Sequence, residues 1–298
     1  MSTISIALTT YNGEKYLREQ LDSLLTQTIP FDELIICDDN SCDGTRDILN
    51  EYAIKEKRIK LFLNKKNIGF KANFENVLKL CKGDYIALCD QDDIWLPYHL
   101  EVLTGSIKGK LLICGNANLI DGQSNLLRGN LSDIKNFHKA ENDNKSIFKF
   151  IVYYQNPFQG ASMLMHRNFL NYALPIPLSV KYHDVWFAHL ACLLDSFIYT
   201  YEPVTLYRMH GANTSGDHRH TAQFRTVLGH LIKDGSSSNR KEVVYALSKL
   251  KVKYKSDFKY LLDEAISYYN NRLNFFSRIK SLVFELKNFK SIYGHDKK

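Results

Sequence analysis

Three aspartates, Asp90, Asp92 and Asp93, occur within four consecutive residues. Like charges this close repel one another, and none of the three has a basic neighbour in the sequence, so a divalent cation among them would relieve the repulsion. Oxygen ligands favour Mg²⁺ or Mn²⁺, and side-chain alternation would turn Asp90 and Asp92 towards one ion. The alternative is a solvated acidic turn in which Asp93 caps the next helix, with Pro97 near the start of that helix.

Two further polar segments have a similar position, because each directly follows an apolar run rich in strand-forming residues. Thr9 to Asn12 follows the first run, Asp38 to Ser41 follows the second, and the acidic cluster follows the fourth. Apolar residues at helical spacing separate the runs. The predicted strands are Ser5–Thr10, Glu33–Cys37, Ile59–Leu63 and Tyr85–Cys89, and the predicted helices are Glu14–Thr28, Thr45–Tyr52 and Lys71–Cys81.

This alternation of strand and helix predicts an α/β fold with a mostly parallel sheet and helices on both faces. Ligands of such sheets bind at the carboxyl ends of the strands, which is where the three polar segments fall. Residues 121–145 are polar and are predicted to form a loop or a mobile insertion. The remaining predictions are strands at Leu111–Cys114 and Ser196–Tyr201 and a helix at Val185–Leu194, while Phe148–Tyr154 and Ser162–Met165 return to an apolar pattern.

The composition is that of an ordinary globular protein. The 298 residues, 45% of them hydrophobic, suffice for one large α/β domain, or for one domain and an appendage. No apolar run is long enough to span a membrane, and the first residues lack the pattern of a secretory signal. The six cysteines form no Cys-x-x-Cys pair and no zinc-site spacing, which favours buried thiols in a reducing cytoplasm.

The net charge of +7 is concentrated at the C-terminal end. Residues 241–298 contain 13 Lys or Arg and 6 Asp or Glu, whereas the preceding 240 residues contain 26 of each. A catalytic domain that bound nucleic acid would carry the positive charge itself, so nucleic acid is not an expected partner. The predicted organisation is a catalytic domain over 1–215, a flexible linker over 216–239 and a basic helical region over 240–298.

Four motifs in this order resemble family 2 glycosyltransferases with the GT-A (Rossmann-like) fold, over residues 1–215. The motifs are Ser5–Asn12, Asp38–Thr45, Asn67–Gly69, and Gly83–Ile86 running into Asp90–Trp95. The resemblance implies an inverting transfer of a sugar from a nucleotide-diphosphate donor, with Mg²⁺ or Mn²⁺ as cofactor. It implies nucleotide-sugar contacts for Thr9, Tyr11, Glu14, Asp39, Lys71, Asn73, Asp90, Gln91, Gly160 and Arg208, and metal contacts for Asp92, Asp90 and His210.

Within that set, Asp39 matches the carboxylate that hydrogen-bonds the pyrimidine ring. Asp92 is the stronger metal ligand, and Asp90 contacts the ribose or a metal-bound water. For Asp38 and Asp39 the alternative is turn formation and helix capping, which aspartate does routinely. Gly160 begins a segment that resembles the one under the donor sugar, or it simply marks the start of a strand.

The sequence His183-Asp184-Val185-Trp186 matches the position of the family's acidic general base, and assigns Asp184 as the catalytic residue. A carboxylate that opens a helix is also an ordinary N-terminal feature. This variant, with Arg208 and His210 downstream, resembles a rhamnosyltransferase-like branch whose members often use a thymidine diphosphate sugar. Arg208 would pair with a phosphate and His210 would bind the metal or the diphosphate, unless both belong to a surface loop.

Residues 270–293 show an apolar stripe flanked by Lys and Arg. A basic amphipathic helix can lie on an anionic membrane, which suits a lipid-linked saccharide acceptor and a peripheral location at the inner face of the membrane. The alternative is packing on the catalytic domain or on a second subunit. The predicted role is surface polysaccharide synthesis of the capsule or O-antigen type. Two alternatives are a nucleotidyl or sugar-phosphate transferase, which would need a Gly-rich loop, and a non-catalytic GT-A-like binding domain.

Overall fold

The computed structural model describes residues 2–137, 143–210, 235–252 and 254–271. In chain order its main elements are β1 (Ile4–Thr10), α1 (Leu17–Leu25), β2 (Glu33–Asp38), α2 (Thr45–Lys55), β3 (Ile59–Leu63), α3 (Phe70–Leu80), β4 (Tyr85–Cys89), β5 (Ile94–Trp95), α4 (His99–Ser106), β6 (Leu112–Ile120), β7 (Leu126–Asn130), α5 (Leu131–Ile134), α6 (Asn144–Tyr153), β8 (Met163–His166), α7 (Leu170–Ala173), α8 (His183–Leu193), β9 (Phe197–Arg208), α9 (Gly235–Ser248) and α10 (Ser256–Asn271).

The nine strands within the described residues all belong to one mixed sheet, with the order β3-β2-β1-β4-β8-β6-β9-β5 and β7 paired to β6. The first four strands in the chain are parallel, as the alternating pattern predicts, because each helical crossover returns the chain to the same edge. Strand β8 pairs antiparallel with both β4 and β6, while β6 and β9 are parallel. Two further antiparallel pairs, β5 with β9 and β6 with β7, complete the sheet.

Hydrophobic cores lie on both faces of the sheet. One face is covered by α1, α2 and α4, whose apolar residues pack against alternate residues of β1, β2 and β4. The other face is covered by α3, α6 and α8, together with α9 and α10. Because both faces are covered, β1 and β2 are buried along their whole length.

Two predictions from the sequence are wrong in detail. Residues 121–145 are not simply a loop, because they contain β7 and α5; residues 138–142 lie outside the described residues. The last strand does not stop before Pro203 but continues to Arg208. It does so through a register shift against β6 at Pro203, which suits a residue that has no backbone N–H to donate.

The first part of the C-terminal region packs on helices α6 and α8. Helix α9 begins at Gly235, inside the predicted linker, and the Tyr269 hydroxyl of α10 donates to the Val152 carbonyl of α6 at 2.5 Å. The stripe predicted over 270–293 falls almost entirely outside the described residues. Within the described ranges, no helix combines the length and the apolar character needed to cross a membrane. None of the six cysteines forms a disulfide, and all but Cys42 are buried.

Candidate active site

The ends of β1, β2 and β4 meet at one edge of the sheet. Thr10 is in register with Asp38, and Leu8 is in register with Cys89. The residues that follow these strands therefore lie side by side, which brings together the three polar segments predicted to form the site. Thr9 is buried at the end of β1 and reaches this edge through its backbone.

Gln91 fixes the loop after β1 to the acidic cluster. Its side-chain oxygen accepts from the Tyr11 N–H at 2.8 Å, and its amide nitrogen donates to the Tyr11 carbonyl at 3.0 Å. A methyl carbon added at Gly13 would lie 2.3 Å from the Gln91 side-chain oxygen, so the Gln91 amide would have to move to admit it. Glu14 accepts from the Gly44 N–H at the start of α2 at 2.8 Å. The Tyr11 ring remains 48% exposed at the mouth of the site.

Asp38 and Asp39 have different roles, as the alternative interpretation of the pair allows. Asp38 is fully buried and holds a turn, because it accepts from Arg46 Nε at 2.7 Å, from both the N–H and the hydroxyl of Ser41, and from Thr10. This gives Asp38 a structural role within β2 and the turn after it.

Asp39 anchors the loop between β3 and α3. Its carboxylate accepts from the N–H groups of Ile68 and Gly69 at 2.9 and 2.8 Å and from Asn64 Nδ2 at 2.9 Å. Gly69 has φ of 85°, a conformation that favours glycine. A carboxylate has about four acceptor positions, so one remains for a ligand. Asn73 is also used internally, because it donates to the Cys37 carbonyl and accepts from Asn64.

Lys71 is turned towards a loop of its own chain. Its ammonium donates to the carbonyl oxygens of Pro177, Leu178 and Val180 at 3.1, 2.9 and 2.7 Å. Since an ammonium group has three protons, these bonds use all of its donors. Lys71 therefore holds the segment before α8 in place through hydrogen bonds. Its expected contact with the base or with a phosphate stays a prediction.

Asp93 is not the helix cap of the alternative interpretation, because α4 begins only at His99 and β5 intervenes. Asp93 is 1% exposed, and it accepts from the Arg208 N–H at 2.9 Å and from Gln159 Nε2 at 2.5 Å. Burial, followed by the charges of Asp92 and Asp90, raises the pKa of Asp93 well above its ordinary value. Asp93 thus ties β9 and the segment before β8 to the acidic cluster.

Asp90 and Asp92 face the site. Asp92 Oδ2 lies 2.9 Å from His210 Nε2, and the His210 ring lies against Tyr16 with 5.0 Å between centroids. The Asp90 carboxylate makes no side-chain hydrogen bond within the part of the chain that the structure describes. Burial, followed by the charges of Asp92 and Asp184, raises the pKa of Asp90 to about 8. A carboxylate in such surroundings is stabilised by a cation.

These residues fit a divalent cation that a ligand helps to coordinate. No group of three or more His, Cys, Asp or Glu side chains in the described ranges forms a ready-made metal cage. Mg²⁺, however, is ordinarily held by one or two carboxylates together with substrate phosphate oxygens. Asp90 and Asp92 supply two such carboxylates at one edge, and His210 adds a nitrogen beside Asp92.

Arg208 is fully buried and binds protein groups. It donates from Nε to the Asp92 carbonyl at 2.7 Å, and from its terminal nitrogens to Ser124 Oγ and Glu19 Oε2 at 2.7 and 2.5 Å. Its guanidinium lies 4.4 Å from the centre of the Tyr16 ring. Arg208 therefore holds the Asp92 backbone and packs on the Tyr16 ring that contacts His210. These contacts are with protein groups and do not include the predicted phosphate contact. Helical spacing was the only signal for Tyr16, and no pattern pointed to Glu19.

Asp184 lies in the first turn of α8 and is partly exposed. Its Oδ1 accepts from the Val185 N–H at 2.6 Å, so it serves as a helix-start residue as well as a candidate base. The pKa of Asp184 is raised to about 6, because burial raises it more than the positive charge of Lys135 lowers it. Lys135 comes from the segment predicted to be a loop, and nothing in its sequence surroundings indicated a place beside the site.

Gly160 opens a short turn, Gly160–Ser162, that enters β8. A methyl carbon added to Gly160 would lie 2.8 Å from His183 Nε2, so the missing side chain permits this close approach. Its neighbour Gln159 bonds Asp93. Gly160 therefore lies between the acidic cluster and the start of α8.

Comparison with known proteins identifies the family. Residues 5–171 match the model of glycosyl transferase family 2. The putative glycosyltransferase EpsE of Bacillus subtilis is 42% identical over 99 residues, 33% of this chain and 36% of that protein. An uncharacterized glycosyltransferase of Haemophilus influenzae is 27% identical over 230 residues, 73% of this chain and 68% of that protein. The first curated relatives are matched over only 27% to 39% of their length.

Solved structures show the same fold. The S. aureus TarS fragment 1–349 in complex with UDP-GlcNAc has a TM-score of 0.61 at 16% identity, over 97% of this chain and 81% of that one. The mannosyltransferase PcManGT from Pyrobaculum calidifontis, in complex with GDP-Man and Mn²⁺, has a TM-score of 0.59 at 15% identity, over 100% and 76%. These likenesses confirm the predicted GT-A fold. With more than half of its residues matched by the family model, the chain belongs to glycosyl transferase family 2.

Proposed function

We propose that this chain is an inverting glycosyltransferase that moves a sugar from a nucleotide-diphosphate donor to a hydroxyl group of a saccharide acceptor. The observation that carries the proposal is the juxtaposition at one sheet edge of Asp90 and Asp92 with a partly exposed Asp184. The best candidate donor is dTDP-rhamnose, and otherwise a UDP-sugar. The acceptor is a saccharide or a lipid-linked saccharide in surface polysaccharide synthesis. The fold neighbours were solved with UDP-GlcNAc and with GDP-Man and Mn²⁺, which supports a nucleotide-sugar donor.

On the donor side, the exposed Tyr11 ring offers a stacking surface, and Asp39 retains one acceptor position for the base. Glu14 and Gln91 hold the loops around that position rather than reaching outwards. The donor nucleoside would therefore lie across the ends of β1 and β2. Its diphosphate would extend towards the end of β4, where Asp90 and Asp92 lie.

Asp92, Asp90 and His210 would hold the divalent ion. The chemistry that such an ion supplies is neutralisation of the negative charge that builds up on the departing nucleoside diphosphate. Arg208 keeps Asp92 in place through the Asp92 carbonyl, and Tyr16 supports the His210 ring. These two residues orient the site without contacting the substrate.

On the acceptor side, Asp184 removes the proton from the acceptor hydroxyl while that oxygen attacks the anomeric carbon. The bond from the anomeric carbon to the phosphate oxygen breaks with its electron pair on the diphosphate, and the configuration inverts. A pKa of about 6 suits this role, because the carboxylate is ionised at neutral pH yet more basic than an ordinary aspartate. Peripheral membrane contact through residues 272–298 stays a prediction, since they lie outside the described residues.

A panel of dTDP-rhamnose, UDP-glucose, UDP-GlcNAc and GDP-mannose tests the proposal. We expect one or more of these donors to raise the melting temperature only with Mn²⁺ or Mg²⁺, and not with EDTA. Turnover of that donor, followed as release of nucleoside diphosphate, should be abolished in Asp92→Ala. Asp184→Asn should bind the donor as the wild type does and lose transfer by about 10²- to 10⁴-fold.

Asp257 provides the matched controls, because it is 65% exposed and its ion pair with Lys145 lies away from the site. Asp257→Ala and Asp257→Asn should leave binding and turnover unchanged. Metal-independent turnover by Asp92→Ala would contradict the proposed metal site. Near-normal turnover by Asp184→Asn would place the base elsewhere.

A further inference from the structure

His183 is a buried imidazole with unused hydrogen-bonding capacity. It is 6% exposed, and neither of its ring nitrogens has a hydrogen-bond partner among the described residues. A buried polar group without a partner costs stability, so native structures rarely retain one unless it has another use. The other buried histidines of the described chain, His99 and His189, each have Nδ1 within 3.0 Å of a backbone carbonyl.

The position of His183 is within the proposed site. It directly precedes Asp184 at the start of α8, and its Nε2 faces Gly160, whose neighbour Gln159 is bonded to Asp93. The ring therefore lies next to the candidate base and against the turn that Gln159 links to the acidic cluster. In a transfer reaction the sugar lies between the base and the acidic cluster, because its anomeric carbon must be reached by the acceptor on one side and bonded to the diphosphate on the other.

The chemistry of the ring indicates what it can recognise. Its other contacts are aromatic, with the Phe74 ring centroid at 4.0 Å and that of Phe187 at 5.7 Å. Burial lowers the pKa of His183 to about 3, so the ring is neutral and has one donor and one acceptor nitrogen. A neutral ring of this kind matches a hydroxyl group, which both donates and accepts, better than it matches a phosphate. Because Gly160 has no side chain, Nε2 lies directly against the backbone of the Gly160 turn.

We propose that His183 is a specificity-determining residue that hydrogen-bonds a hydroxyl group of the donor sugar while the sugar is transferred. The inference rests on the proposed function. Binding of the sugar shifts the Gly160 turn enough to uncover Nε2, and the sugar hydroxyl becomes the partner that the ring lacks. The nucleoside and the diphosphate do not contact this ring.

The test compares His183→Phe, which keeps the ring shape and removes the nitrogens, with His183→Gln, which keeps a donor and an acceptor. His189→Phe is the matched control, because His189 is a buried histidine of the same helix whose Nδ1 lies 2.7 Å from the Val185 carbonyl. Without any donor, we expect His183→Phe to raise the melting temperature by about 2–4 °C, since it removes unpaired polar atoms. His189→Phe should lower the melting temperature.

Binding is then measured with Mn²⁺ for UDP against UDP-GlcNAc and for dTDP against dTDP-rhamnose. In His183→Phe the affinity for the nucleoside diphosphate should stay within about 2-fold of wild type, while the affinity for the nucleotide sugar falls by about 3- to 10-fold. His183→Gln should recover part of that loss, and His189→Phe should show none. A lower melting temperature for His183→Phe, or an unchanged ratio of the two affinities, would overturn the inference.

The two proposals can fail separately. If Asp92→Ala and Asp184→Asn keep their turnover, the proposed function is wrong. If both variants are inactive while His183→Phe matches the wild type in the affinity ratio, only the role of His183 is wrong. If neither nucleotide sugar binds the wild type, the change in melting temperature of His183→Phe decides alone, because a fall would show that the ring has a structural partner.

Discussion

Acidification should slow sugar transfer in a pH range set by Asp184. Burial raises the pKa of this carboxyl to about 6, and a general base works only in its ionised form. At pH 5 about a tenth of the sites would have an ionised Asp184, whereas a carboxyl with an ordinary aspartate pKa would be more than about nine-tenths ionised. The two cases therefore differ by about 10-fold in rate at that pH.

The assay is the pH dependence of kcat/KM for nucleoside diphosphate release with saturating Mn²⁺. We expect kcat/KM to rise about 10-fold per pH unit below pH 6 and to level off above it. The part of the profile in which kcat/KM rises is its acidic limb. Lys135→Met should move this limb to higher pH, because the lysine charge favours the ionised form of Asp184. Lys145→Met, which removes an exposed lysine paired with Asp257, is the control and should leave the limb in place.

Three results would each contradict part of this reasoning. A limb centred near pH 4 would show that the folded chain does not raise the pKa of the base. A shift of the limb to lower pH in Lys135→Met would show that the lysine acts on the reaction in a way other than through its charge on Asp184. An unchanged profile in both lysine variants would remove Lys135 from the electrostatics of the site.

Three further predictions follow from the contacts. Lys71→Met should make the segment 177–180 more sensitive to proteolysis, because the three donors of the lysine ammonium bind carbonyl oxygens of that segment. Nucleotide affinity should stay within about 2-fold of wild type. A much larger loss of affinity would support the predicted nucleotide contact. Gly13→Ala should displace the Gln91 amide, whose oxygen would lie 2.3 Å from the added carbon, and should weaken metal-dependent nucleotide binding with little change in melting temperature. An unchanged nucleotide affinity in binding titrations would refute this prediction. Arg208→Met should cost about 2–3 kcal/mol in denaturant unfolding, since it removes a fully buried guanidinium that bonds the Asp92 carbonyl, Ser124 and the half-exposed Glu19. A cost below about 0.5 kcal/mol would contradict this prediction.

The family of this chain and the edge of the sheet that forms its site were readable from the sequence. Apolar residues repeat with different spacing in strands and in helices, so the first 90 residues predicted strands that alternate with helices, and therefore parallel strands. The order of residues along the chain also showed which residues follow each strand. The predicted end of β4 was correct to the residue at Tyr85–Cys89. The later strands were harder to predict, because the antiparallel placement of β8 between β4 and β6 depends on pairing between residues distant in the chain.

Side-chain partners within the site were decided only by the tertiary structure. Sequence alone placed Asp90, Asp92 and Asp184, because a cluster of carboxylates and a motif are local properties. It could not show that Lys71 turns to a distant loop, that Arg208 is buried and bonded to the Asp92 carbonyl, or that His183 has no hydrogen-bond partner among the described residues. Each of these depends on which atoms from remote segments lie within about 3 Å, a distance fixed only when the helices pack on both faces of the sheet.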